Sequence, residues 1–325
     1  MRRVPYLLIG CLLLVSCMST VERLPVEEVM TRAARASQNF QSALFDGRVR
    51  FGGENPDGTA VEGVADIDGT MQEGGSQVRV HAEGSVILVQ GTTETTVTID
   101  AEVIVDAENE AFLRVNTLES DPKHPVFSSP VVENLLGQWW ILPSSPQQPV
   151  TVFITPDPSL FRAQSQVVRV VEEHGFTQVN GRTAYHYTTE VDKEKLRVYL
   201  QDFDQQNDRE FDEEEFDRVM GGANLTGELW IDAQTFVVLK VSWSSQDISL
   251  QNGGTFFFSF EMQMHDHDAA IPIVLPTDAQ PLALPGVPEM LPTLGIEDLQ
   301  LPSGMEEDIL QQLMEGNAAV LPMPE

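Results

Sequence analysis

The sequence predicts an α+β protein organised around one antiparallel sheet. Three observations lead there: apolar and polar residues alternate in runs from Phe45 to Met264, Gly and Asn/Asp turns separate the runs, and helical periodicity is confined to short stretches. Alternation is the period of a strand with one buried face, and strands joined by short links pair with their sequence neighbours as a meander. The chain has 325 residues, 42% of them hydrophobic, enough for a sizeable interior in one large β domain or two small ones.

The first residues stand apart from this sheet. Met1-Arg2-Arg3 precedes the apolar run Val4 to Val15 and then Ser16-Cys17, the charged-then-apolar order of a secretory signal. The run is shorter than the roughly 20 residues a spanning helix needs. Leu14-Val15-Ser16-Cys17 looks like a lipobox, so cleavage before Cys17 and a diacylglyceryl anchor on that cysteine, with acyl chains such as palmitate, are expected. Cys11 falls in the discarded peptide, and the mature chain keeps no thiol for a disulfide, a thiolate metal site or a cysteine nucleophile. The formal net charge of −31 repels phosphate backbones and anionic head groups, so no nucleic-acid partner is expected and the membrane is reached through lipid alone.

After a tether, Pro25 to Ala36 opens with proline and acids in its first turn and presents Val26, Val29, Met30 and Ala33 on one face, the pattern of an amphipathic helix. Strands are expected at Phe45 to Phe51, Val61 to Ile67, Val78 to His81, Val86 to Val89, Thr95 to Val105 and Phe112 to Val115, with turns at Asn55-Pro56-Asp57-Gly58, Glu73-Gly74-Gly75 and Ala107-Glu108-Asn109. A capped short helix from Ser128 to Leu136 precedes the strand Gln138-Trp139-Trp140-Ile141-Leu142, whose adjacent tryptophans must point to opposite faces. Further strands are expected at Val150 to Ile154 and Gln166 to Val171. Phe176 to Tyr187 reads as a hairpin about Asn180-Gly181. Asp192 can cap a helix from Lys193 to Asp202, and a second, acidic helix from about Asp212 ends at Gly221-Gly222. Strands resume at Thr226 to Asp232, Val237 to Trp243 and Thr255 to Met264. Past His267 prolines recur and no Lys or Arg follows Lys240, the composition of an extended tail.

Motifs for chemistry are sparse. His265 and His267 would share one face of a strand but lack a third ligand, so no metal is expected. Asp204 to Glu215 imitates a calcium loop but carries Arg209 where the loop needs glycine. No nucleophile elbow and no phosphate-binding glycine loop occurs, so no enzyme and no cofactor are expected; a hydrolase would need a nucleophile and base brought together from distant positions.

The order of lipobox, helix, long meander, Trp-Trp strand, Asn-Gly hairpin ending Tyr185-His186-Tyr187, two inserted helices and the strand Leu229-Trp230-Ile231-Asp232 followed by Thr235 to Val241 resembles the LolA-like superfamily, and within it the LppX/LprG-type lipid-carrier lipoproteins. The resemblance covers about Val21 to Met264. It implies a strongly curved antiparallel sheet, a half-open barrel with helices on its concave side, holding acyl chains between sheet and helices. The wall of such a cavity is expected from Trp139 or Trp140, Trp230, Phe256, Phe258, and Leu196, Tyr199 and Leu200. Expected boundaries are a signal peptide at 1–16, a lipidated tether at 17–24, the half-barrel at 25–268 with a helical insert at about 192–222, and an acidic tail at 269–325. The resulting expectation is an extracytoplasmic lipoprotein, anchored to the cell membrane or to an outer membrane, that binds a lipid or acylated molecule. The alternative is a surface interaction module with a packed core, whose acidic tail recruits a protein.

Overall fold

The computed structural model describes residues 23–282 except 40, 109, 125–126, 128–129, 143–166, 207–210 and 250–252. Cys17, the expected strand at 150–154, the middle of the calcium-loop look-alike and residues 283–325 of the expected tail lie outside the described residues. Among those described, no helix is long and apolar enough to cross a membrane.

Helix α1 (Val26–Asn39) is followed by a meander of β1 (Ser42–Glu54), β2 (Ala60–Gln72), β3 (Gln77–Gln90), β4 (Thr93–Val105) and β5 (Ala111–Asp121). The short α2 (Pro130–Leu135) leads to β6 (Trp139–Ile141). The hairpin β7 (Val168–Val179) and β8 (Arg182–Val191) comes next, then α3 (Lys193–Gln206) and α4 (Glu213–Gly222), then β9 (Asn224–Asp232), β10 (Val238–Ser249), β11 (Thr255–His265) and β12 (Gln280–Pro281). Among the described residues, twelve strands form one sheet in the order β12-β6-β5-β4-β3-β2-β1-β11-β10-β9-β8-β7. Every pairing is antiparallel except β12 with β6. Among the described residues β7 and β12 are its edges, so the sheet is open.

Local chemistry explains the connections. Asn180 and Gly181 have φ of +51° and +74°, the left-handed pair of a two-residue hairpin turn. Asp192 Oδ1 accepts the Lys195 backbone N–H at 3.2 Å and caps α3. The expected pair of strands at 78–81 and 86–89 is instead the single strand β3: the Ala-Glu-Gly-Ser stretch at 82–85 has turn-like composition, yet β2 and β4 on either side hold every one of its residues in register.

The sheet curls about α1. Val78 and Val80 on β3 and Tyr185 and Tyr187 on β8 stand six strand intervals apart, about 29 Å on a flat sheet, which exceeds the ~21 Å length of a 14-residue helix. They nonetheless belong to one buried cluster with Val29 and Ala33 of α1, together with Phe45, Met71, Leu229, Ile231, Val241, Met262 and Met264. The side α1 occupies is therefore concave. Helices α3 and α4 pack on the same side at the opposite strand ends, where Phe216, Met220 and Ala223 gather Leu196, Leu200, Leu225 and Ile248. The expected half-open barrel with helices on its concave side is the observed architecture.

Residues 269–282, the start of the expected tail, run across the strand ends. The Ala270 N–H donates to Ser42 Oγ at 3.2 Å, Gln72 Nε2 donates to the Ile271 carbonyl at 2.7 Å, and the Ile273 N–H donates to Gln72 Oε1 at 3.2 Å. The strap ends as β12 beside β6, where the Leu282 N–H donates to the Ile141 carbonyl at 2.9 Å.

Candidate ligand-binding surface

Strand register sorts every side chain to one of two faces. Ala43, Phe45, Gly47, Val49 and Phe51 of β1 face inward with Met71, Gly69, Ile67, Ala65 and Gly63 of β2, their cross-strand partners. The inward series continues through Val78, Val80, Ala82, Gly84, Val86 and Leu88 on β3 and Val103, Ala101, Ile99 and Val97 on β4. At the α1 end this face is fully buried, but Val49, Phe51, Val61, Val86, Leu88 and Ile99 are only half-buried. They form an apolar band on the inner ends of β1 to β4 that neither α1 nor the α3/α4 cluster includes. Phe256 and Phe258 of β11 extend the band, paired with Gly53 and Phe51.

Glycines shape this face. The Phe45 ring lies over Gly69 and the Phe51 ring over Gly63, positions where a Cβ would come within 2.4 and 2.3 Å of the respective ring. Flat rings across a neighbouring strand keep the inner surface smooth and the sheet tightly curved. Burial pushes the Tyr187 hydroxyl well above its ordinary range, so it remains a neutral group in the cluster under α1.

The expected wall residues are divided between the faces. Trp140 pairs with Leu113 and turns inward, its indole N–H donating to the Leu135 carbonyl at 3.0 Å, while Trp139 pairs with Arg114, whose guanidinium sits 4.8 Å from its ring on the outer face. Phe256 and Phe258 are inward, Leu196 and Leu200 belong to the α3/α4 cluster, and Tyr199 is half-buried on α3. Trp230 differs from expectation. Alternation along β9 sends Leu229 and Ile231 inward and Trp230 outward, where it packs with Val179, Ala184 and Leu239, stacks on His186 at 4.6 Å and receives Lys240 Nζ at 5.0 Å. The inward residues Phe51, Val86, Leu88 and Ile99 were not among the expected ones, although their alternation is plain; what the sequence lacked was the register that gathers them.

The outer face is charged. Arg48 donates twice to Asp66, at 2.6 and 2.8 Å, and Arg79 and Arg114 both donate to the buried Glu102. Beside them His81 bridges Asp68 at 2.9 Å and Asp100 at 3.1 Å, in a depression of about 560 Å3 lined also by Asn116 and His265. The single strand face that His265 and His267 were expected to share is not formed, because β11 ends at His265. Asp266 and Asp268 adopt φ of +48° and +60°, and His265 Nδ1 lies 2.9 Å from Asp266.

Hydrogen bonding to Asp68, opposed by partial burial and aided by Asp100, raises the His81 imidazole above its ordinary range. A raised folded value means that its stabilisation is fully present below the unfolded value, about 6.5, and is lost as pH rises through the folded one. The His81→Gln penalty, measured by urea unfolding, is therefore expected to be larger at pH 5.5 than at pH 8.5. With the side chain 38% exposed, it should stay below ~1 kcal/mol. An equal penalty at both pH values would show that His81 carries no charge-dependent stabilisation.

No protein-family model matches the sequence, and no curated protein does. Among solved structures the chain is similar to the lipoprotein LppX of Mycobacterium tuberculosis, at 9% identity and a TM-score of 0.32, over 77% of this chain and 100% of that one. It is also similar to a LolA superfamily protein of Nitrosomonas europaea, at 8% identity and 0.23 over 77% and 96%, and to a β-barrel-like protein of unknown function from Brucella abortus, at 10% and 0.25 over 70% and 98%. The open sheet rests on its own strand register.

Proposed function

We propose that this chain is a non-enzymatic, lipid-anchored extracytoplasmic protein that holds the acyl portion of a lipid or acylated molecule against the concave face of its sheet. The observation that carries the reading is the half-buried apolar band of Val49, Phe51, Val61, Val86, Leu88 and Ile99, continued by Phe256 and Phe258. A methylene fully removed from water gains about 0.8 kcal/mol; a chain laid on an open band gains only part of that per methylene and must offset the cost of association, so a long acyl chain is the expected occupant. Arg2-Arg3, the apolar run and Leu14-Val15-Ser16-Cys17 support anchoring, and Cys17→Ser should abolish incorporation of labelled palmitate in a bacterial host. Labelling that persists in Cys17→Ser would remove the anchor from the proposal.

The binding test is native mass spectrometry of the chain purified from a bacterial host, with lipid extraction and titration of a fluorescent fatty acid. Leu88→Lys places a charge in the band and is expected to weaken probe binding tenfold or more, because the ammonium would have to be desolvated. Ile87→Lys, one residue along β3 and on the outer face, controls for damage to the strand and should bind like the parent. Equal binding by both variants, or a parent chain that takes up neither lipid nor probe, would sink the proposal.

A further inference from the structure

We propose that His174, His186 and Glu228 form a binding site for one borderline first-row divalent cation, of which Zn2+ is the type, on the outer face of strands β7, β8 and β9. The three residues each offer a ligand atom, and these atoms lie within 4.8 Å of one another. They reach one place by topology: Gly175 of β7, beside His174, pairs with His186 of β8, His186 pairs with Trp230 of β9, and Glu228 pairs with Thr188. Strict alternation along β7 would send His174 to the inner face. The irregularity between Glu173 and Gly175, with Gly175 at φ +81°, brings it to the outer one, which is how a β-bulge re-aims a side chain.

His186 and Glu228 are not hydrogen-bonded to each other, and His174 would exchange its contact with Thr188 for the ion. His186 Nε2 is buried without a hydrogen-bond partner, and Glu228 Oε2 stands 3.6 Å away, too far for a hydrogen bond. The His186 ring is held between the rings of His174, at 4.4 Å, and Trp230, at 4.6 Å. His174 is steadied by Thr188, with Nε2 to Oγ1 at 2.7 Å, and its Nδ1 lies 3.8 Å from Glu172 Oε1. Metal–nitrogen and metal–oxygen bonds of about 2.0–2.2 Å place tetrahedral ligand atoms about 3.3 Å apart, so small side-chain rotations close the set. Lys240, whose Nζ lies 5.0 Å from the Trp230 ring, is engaged by Glu261 at 2.9 Å.

Two imidazoles with one carboxylate select zinc-like ions over calcium or magnesium, which want oxygen alone. A bound ion would satisfy the orphaned His186 nitrogen and tie the edge strand β7 to its two neighbours. The positions it leaves open face solvent, since His174 is exposed.

The test uses the untagged full chain, titrated with ZnCl2 by calorimetry and with CoCl2 by visible absorption. One ion per chain at micromolar affinity, with cobalt bands of low coordination number and a raised melting temperature in zinc, is the expected result. His174→Ala, on the edge strand where folding is least at risk, should weaken zinc binding tenfold or more and remove the cobalt bands, as should Glu228→Gln. The double variant His265→Ala/His267→Ala should bind like the parent. Absence of binding at about 100 μM zinc, or binding that survives His174→Ala and Glu228→Gln but is lost in the His265/His267 variant, would overturn the proposal.

Discussion

Replacing Gly69 with valine is expected to destabilise the folded chain by about 3 kcal/mol or more, at the upper end of what overpacking a close-fitted interior costs. A Cβ there would stand 2.2 Å from the Arg79 carbonyl oxygen and 2.4 Å from the Phe45 ring. The carbonyl is backbone, held where β2 meets β3, and Phe45 is 2% exposed in the cluster under α1. Neither can retreat without disturbing the other, and a branched side chain adds two methyl groups to the clash. Gly63→Ala is the informative contrast. Its Cβ would meet only the Phe51 ring, at 2.3 Å, among its three nearest neighbours, and Phe51 is half-buried at the edge of the apolar band. The ring can swing away, so a cost near 1 kcal/mol is expected. Urea unfolding of the two variants checks both, and equal costs would show that the buried end of the sheet is no more tightly fitted than the open end. Gly63→Ala should also perturb acyl-probe binding, because the displaced ring belongs to the proposed surface.

The second large effect is expected at the β9–β10 turn. The Asp232 carboxylate is 3% exposed as a residue and satisfies four donors. Oδ1 accepts from the Gln234 N–H at 2.9 Å, the Thr235 N–H at 2.6 Å and the Thr235 hydroxyl at 2.8 Å, and Oδ2 accepts from Arg182 Nε at 2.8 Å. Asp232→Ala strands two turn amides and half-frees a guanidinium beside a buried carboxylate pocket, at a cost of about 3 kcal/mol. Asp232→Asn keeps an acceptor for the turn and should cost about half as much. Burial alone would raise this carboxyl, but the donors at Thr235 and Gln234 and the charge of Arg182 outweigh it and hold it below its ordinary range. A depressed folded value gives stability that is present above the unfolded value, about 3.9, and is lost as pH falls through the folded one. The stability gap between the parent and Asp232→Asn should therefore be constant from pH 7 to about 5 and shrink below about 4. A gap that stays constant down to pH 3 would show that the carboxylate charge contributes nothing.

Much of this architecture was legible in the residues. The Asn180-Gly181 hairpin, the Asp192 cap, the helix at 26–39 and the alternating strands each rest on interactions between residues near in sequence, where propensity and turn chemistry act directly. The strap at 269–282 was not legible, because its proline-rich composition, with Asp278 its one charged residue, reads as a tail. Its anchorage to Ser42 and Gln72 is a matter of positions some 200 residues apart in the chain. The wall proposed to hold an acyl chain was legible only in part. Adjacent tryptophans at 139 and 140 must face oppositely, but which one turns inward depends on pairing with Leu113 or Arg114 of β5.

What the sequence by itself determined is local: strand period, turns and caps, all set by backbone sterics and by the spacing of apolar residues. Only the tertiary structure decided which face of each strand is concave, sending Trp230 out and Phe51 in, because that depends on register across non-neighbouring strands such as β1 and β11. The convergence of His174, His186 and Glu228 is of the same kind, since a one-residue irregularity in β7 turns a side chain to the opposite face, a displacement that no reading of period 2 alternation can locate.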